Sequence, residues 1–504
     1  MIFLKVGNVS TFISPPLKGQ IYAEFKKKLG YRPKDAMYMI QSNTHWDGWI
    51  TTVCFGSGKC KCPNKKTDMH FPTGLLSIAR DFFLENGIEF ETIDTREEFD
   101  LKPISLSNFY TIRDYQSDVI YSAIKKQRGI IKAATGAGKS VMAGAIIALT
   151  GAFPACFFVT TKDLLYQAKE EFERLIEKNG IPVTVGVIGD GRCDIEDINV
   201  MTVQTAVRSL GRKYEKFDEE DDDAIESCLG EVSNKDRIKK LLISSRMIIA
   251  DEVQHFAASS CQIISDYCSS ARYRYGISAT PWRDLDDDIL IDACFGKLIS
   301  NISASSLIEK KVLVPPKIYF VKIKTKIGGT FADVYRRGIV ENTYRNTVIK
   351  NLAQQMVEDG RQTLILVKHI SHGEVLQDMI PGSIFVHGSV ANKSRKNTLD
   401  MMRAGKHMCI IASSIFDEGI DVKPLSALIL AGSGKSPTRA LQRIGRVIRC
   451  HDGKKDAIII DFFDEMKYMK KHSQARRKIY KTEIKFEISD IEMDTNEVEI
   501  NNNE

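Results

Sequence analysis

The pattern of hydrophobic positions changes near Leu106. Beyond that residue, short apolar runs alternate with stretches in which apolar residues recur every three or four positions. The first pattern is typical of buried strands and the second of amphipathic helices, so their alternation predicts βαβ units with parallel sheets. The runs predicted as strands are 129–134, 155–160, 198–203, 247–250, 275–278, 363–367, 383–386, 409–412, 427–430 and 457–460.

These runs form two groups, which predict two tandem α/β domains with parallel sheets over residues 106–312 and 313–488. Residues 1–105 have a mixed pattern, with candidate helices at 18–29 and 73–85, and are expected to form a small α+β N-terminal domain. The last residues, 489–504, form an acidic stretch that is expected to be a tail.

A glycine-containing turn joins the first predicted strand of this region to a helix. It reads Ala133-Ala-Thr-Gly-Ala-Gly-Lys-Ser140, with Ala133 where the general phosphate-loop pattern has glycine. Gly136 and Gly138 permit the close approach of backbone N–H groups to phosphate oxygens. Lys139 is expected to reach the β- and γ-phosphates, and the Ser140 hydroxyl to hold Mg²⁺. The residues predicted to surround a nucleotide here are Ala134, Thr135, Gly136, Ala137, Gly138, Lys139 and Ser140.

Two acidic residues, Asp251 and Glu252, end the apolar run that begins at Met247. Because the carboxyl ends of parallel strands meet at one edge of a sheet, the pair is expected to lie beside the phosphate loop. Asp251 would then bind Mg²⁺ through water, and Glu252 would orient and deprotonate the attacking water. With Ser278-Ala-Thr280 following at a suitable distance, these features predict hydrolysis of ATP.

The amino-acid composition excludes only a few classes of protein. The 504 residues suffice for roughly three domains, and 43% hydrophobic with 27% charged residues exclude a wholly disordered or collagen-like chain. The net charge of +6 permits a nucleic-acid partner without requiring one. Several cysteines lie in apolar runs, and no run approaches the roughly 20 apolar residues of a spanning helix, so an intracellular, cytoplasmic location without membrane contact is expected.

Further motifs between residues 110 and 450 resemble those of helicase superfamily 2 in sequence and order. Residues Arg113-Asp-Tyr-Gln116 resemble the adenine-reading segment of that family, with Gln116 on the base. Residues 160–167 and 202–205 resemble motifs Ia and Ic, which touch the nucleic-acid backbone in the family. Residues 278–283 resemble motif III, which couples the nucleotide state to strand contacts.

The second α/β domain contains the remaining motifs of that family. His387-Gly-Ser with Arg395 resembles motif IVa, and residues 413–422 resemble motif V, which implies nucleotide contacts for Gly419 and Asp421. Residues 442–449 resemble motif VI.

Motif VI also has a physical rationale of its own. Gln442, Arg446 and Arg449 stand at positions i, i+4 and i+7, so they are expected to share one helix face. That face would present guanidinium groups to the γ-phosphate as arginine fingers.

One departure from the family concerns the fourth residue of the Asp-Glu box. It is usually His or Asp, whereas this chain has Gln254, followed by His255. An amide can still donate and accept hydrogen bonds, so metal binding and base catalysis are expected to persist. The coupling role of this position is left open.

The motifs at 113–116 and 278–283, with the segment 335–346, are similar to the branch that includes XPB-type helicases. The size, the N-terminal domain and the overall order of the chain resemble the recombination helicases of T-even bacteriophages. This resemblance implies two tandem RecA-like domains and an ATP-dependent DNA helicase or translocase that migrates junctions and unwinds forks and R-loops. It implies ATP and Mg²⁺ as cofactors, and branched or duplex DNA and RNA–DNA hybrids as partners. Single-strand-binding or recombination proteins are candidate partners, a monomer is expected, and a viral chain would act in the host cytoplasm.

Two alternatives remain at this stage. One is an RNA helicase of the same superfamily, because phosphate-backbone contacts look alike for both nucleic acids. The other is a nucleic-acid annealing or remodelling protein with a vestigial ATPase, against which the intact Lys139, Asp251, Glu252 and Arg446 argue.

The N-terminal residues 1–105 contain no catalytic constellation and are expected to bind nucleic acid. The segment Lys59–Lys66 has four lysines in eight residues, which suits either a phosphate contact or a solvated turn. The basic run Lys467–Lys481 near the other end of the chain is likewise either a nucleic-acid-facing helix or a solvated surface.

Cysteines near residue 60 leave a metal site open. Cys54, Cys60 and Cys62, with His70 downstream, offer zinc ligands, although the single residue between Cys60 and Cys62 is shorter than the usual spacing. The alternative is a hairpin with reduced thiols.

Overall fold

A computed structural model describes residues 1–42, 46–55, 68–101, 112–212, 232–282, 287–388, 390, 392–413, 422, 424–432, 434 and 436–492. The chain divides into two compact units, one of residues 1–133 with 138–301 and the other of residues 134–137 with 302–504. In these described ranges, no helix combines the length and the apolar character needed to cross a membrane.

The N-terminal part of the first unit is a small mixed sheet with helices. The sheet has the order β5-β6-β2-β1-β7, with β7 parallel to β1 and the other pairs antiparallel. The predicted helices at 18–29 and 73–85 are present, the second beginning with a 3-10 turn. The elements are β1 (Ile2–Val6), β2 (Ser10–Ser14), α1 (Gly19–Lys28), β3 (Gly30–Tyr31), α2 (Ala36–Ser42), β4 (Ile50–Thr51), β5 (Cys54–Phe55), β6 (Met69–Pro72), α3 (Leu76–Glu85) and β7 (Phe90–Asp94).

The larger sheet of the first unit is the predicted parallel sheet. Its order is β11-β10-β12-β9-β13-β14-β8-β15, and the strands from β10 to β8 run parallel. Helices cover both faces, so its central strands are buried throughout, as their continuous apolar runs predict. The elements are α4 (Asp114–Lys126), β8 (Arg128–Ala133), α5 (Lys139–Thr150), β9 (Ala155–Val159), α6 (Lys162–Asn179), β10 (Val185–Gly189), β11 (Arg192–Cys193), β12 (Ile198–Thr202), α7 (Val203–Ser209), α8 (Val232–Ser244), β13 (Met247–Asp251), α9 (Ser259–Tyr267), β14 (Tyr273–Ser278), α10 (Ile289–Phe295) and β15 (Leu298–Ile302).

The second unit contains another parallel sheet, in the order β18-β19-β17-β20-β21-β16-β22. The two sheets together confirm the expected fold of tandem RecA-like α/β domains. Strand β22 continues through Ile491, so the stretch expected to be a tail begins as a strand. The elements are α11 (Ala304–Glu309), β16 (Pro316–Ile323), α12 (Phe331–Tyr335), α13 (Thr343–Glu358), β17 (Thr363–Leu366), α14 (Ile370–Met379), β18 (Ile384–Val386), α15 (Asn392–Arg403), β19 (Cys409–Ala412), β20 (Ala427–Ile429), α16 (Pro437–Val447), β21 (Ala457–Asp464), α17 (Met469–Tyr480) and β22 (Glu487–Ile491).

Within the first unit, the N-terminal sheet and its helices pack on helix α10 of the larger α/β domain. Their apolar core extends to Ile289 and Ala293 of α10. The turn before α3 presses Gly74 against the last turn of α10, where a Cβ would lie 2.0 Å from the Asp292 carbonyl oxygen. An ion pair of 2.8 Å between Lys297 and Asp81 borders this contact. Glycine at position 74 therefore permits a backbone-to-backbone approach that no side chain could fit.

This contact predicts that Gly74→Ala destabilises the first unit by roughly 1–3 kcal/mol, the usual cost of overpacking a tight site. The neighbouring atoms are backbone carbonyls of a helix, which cannot rotate away as a flexible side chain would. The measurement is the thermal unfolding midpoint. Gly328→Ala is the control, because a Cβ there meets nothing within 4 Å; equal midpoints for the two variants would contradict the assignment.

Candidate nucleotide site

The topology of the first unit brings the sequence-predicted motifs to one edge of its large sheet. Strands β12, β9, β13, β14 and β8 are neighbours and run parallel. Their register pairs Thr202 with Val159, Asp251 with Ile277, and Ser278 with Lys132, so their carboxyl ends are level. The phosphate loop, the Asp-Glu box and motifs Ia, Ic and III follow these ends. This is the edge at which open α/β sheets bind ligands.

The phosphate loop depends on its two glycines. Gly136 and Gly138 have φ values of 92° and 81°, which side chains rarely tolerate. Gly138 also caps helix α5, and a Cβ on it would lie 2.4 Å from the Gln116 amide nitrogen. The loop is closed by a hydrogen bond of 3.0 Å from the Ala137 N–H to the Ala134 carbonyl. The result is a tight turn at a helix N-terminus, the arrangement that attracts phosphate.

Lys139, the first residue of α5, contacts both carboxylates of the Asp-Glu box. Its ammonium donates to Glu252 Oε1 at 2.7 Å and lies 3.5 Å from Asp251 Oδ1. The other Glu252 oxygen accepts hydrogen bonds of 2.9 Å from both Ser278 Oγ and Gln254 Nε2. These five side chains therefore form one polar cluster that joins the phosphate loop, the box and motif III.

The electrostatics of this cluster separate its two carboxylates. Burial raises the pKa of Asp251, and the Lys139 ammonium offsets that effect only in part. Burial also acts to raise the pKa of Glu252, but Lys139 and the hydrogen bonds from Gln254 and Ser278 lower it to about 2. Glu252 is therefore the carboxylate that stays ionised and whose proton affinity depends most on Lys139.

Glu252 also has an unusual backbone. Its φ is 49°, in the left-handed region that residues other than glycine seldom occupy, and such conformations concentrate at functional sites. It precedes a 3-10 turn, Val253–Ala257, that carries Gln254. The sequence left the role of Gln254 open. In the structure its amide donates to Glu252, an interaction that a hydrogen-bonding side chain at this position can supply.

The predicted adenine-reading segment lies beside the phosphate loop. Arg113 precedes α4, and its N–H donates to the Gln116 side-chain oxygen at 2.9 Å. The Gln116 side chain is buried, and its amide nitrogen is the atom that abuts Gly138. The structure thus brings Gln116 next to the loop, as the motif order implies.

Motifs Ia and Ic also meet. Gln204 Nε2 in motif Ic donates to the Thr160 carbonyl in motif Ia at 2.6 Å. Sequence reasoning missed a further contact here, since Asp190 pairs with Lys162 at 2.6 Å and accepts a hydrogen bond from Tyr166 at 3.0 Å. The hydrogen bond from Lys162 lowers the pKa of Asp190. Asp190 follows β10, so the contact spans residues far apart in sequence.

In the second unit, helix α16 carries Gln442 and Arg446 of motif VI. The expectation that Arg449 shares their helix face is wrong. The helix ends at Val447, and Arg449 instead forms an isolated β-bridge with Leu313. Arg449 is therefore held by backbone pairing, and only Gln442 and Arg446 remain on the helix.

Several predicted residues lie outside the part of the chain that the structure describes. They are Gly419, Asp421, Arg283, Cys60, Cys62 and the lysines of the segment 59–66, together with the side chain of Arg395. Of the candidate zinc ligands, Cys54 and His70 are described and pair across β5 and β6. The described residues contain no group of three or more His, Cys, Asp or Glu side chains that could hold a metal ion.

Comparison with known families agrees with this arrangement. The family "Type III restriction enzyme, res subunit" matches residues 109–283, which contain the phosphate loop, the Asp-Glu box and motif III. The family "Helicase conserved C-terminal domain" matches residues 345–451, which contain motif VI.

The known proteins that are similar to this chain include the following two sequences and one solved structure. DNA 3'-5' translocase XPB2 of Sulfurisphaera tokodaii is 24% identical over 428 residues, which cover 76% of this chain and 88% of the relative. ATP-dependent DNA helicase uvsW of Enterobacteria phage T4 is 25% identical over 376 residues, 72% of this chain and 70% of the relative. The helicase MrfA bound to DNA is 13% identical, with a TM-score of 0.54 over 76% of this chain and 52% of that chain. With both helicase domains matched in the order of the motifs, this chain is an ATP-dependent helicase of superfamily 2.

Proposed function

We propose that this helicase acts on branched DNA, where it migrates junctions and unwinds forks and R-loops. The observation that carries the proposal is the single sheet edge at which the Lys139–Glu252–Ser278 cluster and the hydrogen-bonded motifs Ia and Ic meet. A nucleotide site and a strand-contacting surface on one edge suit a motor whose ATPase responds to nucleic acid. DNA is favoured over RNA because the two relatives above are named as a DNA translocase and a DNA helicase.

In this proposal, residues 134–140 cradle the phosphates of ATP, while Arg113, Gln116, Gly419 and Asp421 complete the nucleotide site. Ser140 and Asp251 would hold Mg²⁺, since a hydroxyl and a carboxylate are oxygen ligands that this ion takes beside substrate phosphates. When bound, Mg²⁺ neutralises charge that develops on the phosphate oxygens. The residues present fit this ion, because the Asp251 carboxylate at the end of β13 lies 3.5 Å from the ammonium of Lys139, beside the phosphate loop.

Glu252 is the proposed base for the attacking water. While Lys139 contacts it, its lowered pKa makes it a weak base. When Lys139 turns to a γ-phosphate, Glu252 loses the cation that lowers its pKa most, so its proton affinity rises. Binding of substrate and activation of the base are thereby linked through one side chain.

Motif III transmits this change. Ser278 Oγ donates to Glu252 and accepts a hydrogen bond of 3.0 Å from the Thr280 N–H. A shift of the Glu252 side chain therefore reaches the backbone of residues 278–280. Gln442, Arg446 and Arg449 are the further residues proposed for catalysis, with Arg446 as the arginine finger that stabilises the transition state.

Residues 1–105 are proposed as a nucleic-acid-binding domain, and residues 106–312 and 313–488 as the two motor domains. Of the predicted tail 489–504, residues 489–491 belong to strand β22. We further propose that the chain acts as an intracellular monomer on branched or duplex DNA and RNA–DNA hybrids, with recombination or single-strand-binding proteins as partners.

A panel of substrates tests the proposed function. ATPase rates are measured with single-stranded, duplex, forked and four-way DNA, with an RNA–DNA hybrid and with RNA, at equal nucleotide concentration. Forked and four-way DNA are expected to give the largest stimulation. The largest stimulation by RNA would instead support an RNA helicase of the same superfamily.

Lys139→Ala should abolish ATP turnover and leave DNA affinity nearly unchanged. The substitution removes the cation proposed to meet the phosphates and also the main partner of Glu252. The proposed strand contacts belong instead to motifs Ia and Ic. Steady-state ATPase and equilibrium DNA binding are measured on the same preparation, and binding serves as the internal control. Turnover near the wild-type rate would refute the assignment of the phosphate loop.

Arg446→Ala should lower kcat far more than it raises KM for ATP. An arginine finger interacts chiefly with charge that develops in the transition state and is worth roughly 10³–10⁵ in rate in related hydrolases. Arg361→Ala is a matched control in the same unit, since Arg361 pairs with Asp456 at 2.9 Å and has no proposed role in catalysis. A higher KM with unchanged kcat would make Arg446 a ground-state contact.

A further inference from the structure

Helix α16 carries the proposed arginine finger, so the placement of the helix decides where Arg446 points. Ser436 caps its start, accepting from the Arg439 N–H at 3.4 Å, and Pro437 occupies its first turn. One face, with Ala440 and Ile444, is buried in the second unit. The polar contacts at its two ends come from residues that lie outside the helix.

At the start of α16, the anchor is Arg476 on α17. Its Nη1 donates to the Gly434 carbonyl at 2.8 Å, two residues before the cap. Its Nε and Nη2 donate to the Asp461 carboxylate at 2.9 and 2.8 Å, and Tyr480 Oη donates to the same carboxylate at 2.8 Å. Arg476 is 1% exposed and Asp461 is fully buried. A buried ion pair thus ties the segment before α16 to strand β21.

This position was expected to belong to a nucleic-acid-facing or solvated basic run. For Arg476 both interpretations are wrong, because its guanidinium is inside the protein. The adjacent Arg477 is half-buried and pairs with Asp490 at 2.6 Å instead. The two arginines are neighbours in sequence and have different partners.

At the end of α16, the anchor is Lys454. Its ammonium donates to the carbonyl of Arg449 at 2.9 Å, and also to the carbonyls of Val447 and Leu425. Val447 is the last residue of the helix, so Lys454 satisfies carbonyls that a helix end leaves without partners inside the helix. Leu425 precedes β20, and the lysine therefore links the helix end to the sheet.

We propose that Arg476 and Lys454 are positioning residues that hold α16 at its two ends and thereby fix the position from which Arg446 acts. The inference rests on the proposed role of Arg446. Neither residue touches substrate. Hydrogen bonds from charged donors are stronger than neutral ones, and a misplacement of about 1 Å can cost roughly 10²-fold in rate.

Arg476→Lys and Lys454→Met test the two ends separately in the full-length protein. The lysine at 476 retains a cation for Asp461, but its single amino group does not reproduce the forked contact with Gly434. Methionine at 454 keeps the length of the side chain without its donors. Each variant is expected to lower kcat by roughly 10- to 100-fold at saturating forked DNA, with KM for ATP nearly unchanged. Arg477→Ala, the control on α17, is expected to retain wild-type kcat.

A double-mutant cycle with Arg446→Ala distinguishes an effect on the position of Arg446 from a general loss of protein stability. If the anchors act through Arg446, adding Arg476→Lys or Lys454→Met to Arg446→Ala lowers kcat no further. Additive losses, or an unchanged kcat in both single variants, would overturn the inference. Thermal unfolding identifies a variant that is not folded at the assay temperature. The variant at the other end of α16 then tests whether these contacts position Arg446.

Failure of this inference differs from failure of the proposed function. If Arg446→Ala itself leaves kcat unchanged, Arg446 is not an arginine finger, and Arg476 and Lys454 have no catalytic residue to position. If Arg446→Ala lowers kcat while the anchor variants do not, only the positioning role is lost.

Discussion

The ion pair between Lys139 and Glu252 is the interaction on which the site is organised. It joins Lys139, which follows β8, to Glu252, which follows β13. The pair therefore requires β8, β14 and β13 to be neighbours whose carboxyl ends lie at the same level. Their buried apolar residues ensure that alignment, since a shift in register would leave Ser278 and Asp251 at different heights. The parallel core thus determines the geometry of a polar cluster at its edge.

The two carboxylates of that cluster, Asp251 and Glu252, have pKa values shifted in opposite directions. Asp251 and Glu252 are adjacent in sequence, yet burial raises the pKa of the first, whereas at the second Lys139 and the hydrogen bonds from Gln254 and Ser278 together outweigh burial and lower the pKa. Neighbouring carboxylates whose environments separate their pKa values can take different roles, one as a metal ligand and the other as a base.

Much of this arrangement could be predicted from the sequence because its signals are local. Apolar runs and a glycine turn predict the parallel sheet and the phosphate loop, and both are present. The end of α16 could not be predicted, because Lys454 and the bridge to Leu313 stop the helix before Arg449. The burial of Arg476 could not be predicted either, because it also depends on a contact between residues far apart in sequence. Its partner Asp461 lies on a separate strand, and a list of basic residues does not reveal which of them is buried.

The packing of the N-terminal sheet on α10 affects how truncated forms of the protein would behave. Removal of residues 1–105 would uncover Ile289 and Ala293 and leave Lys297 without Asp81. The new surface would be apolar, and such patches promote aggregation. A shortened chain would therefore lose activity through poor solubility alone, and that loss would say nothing about whether the N-terminal sheet binds nucleic acid.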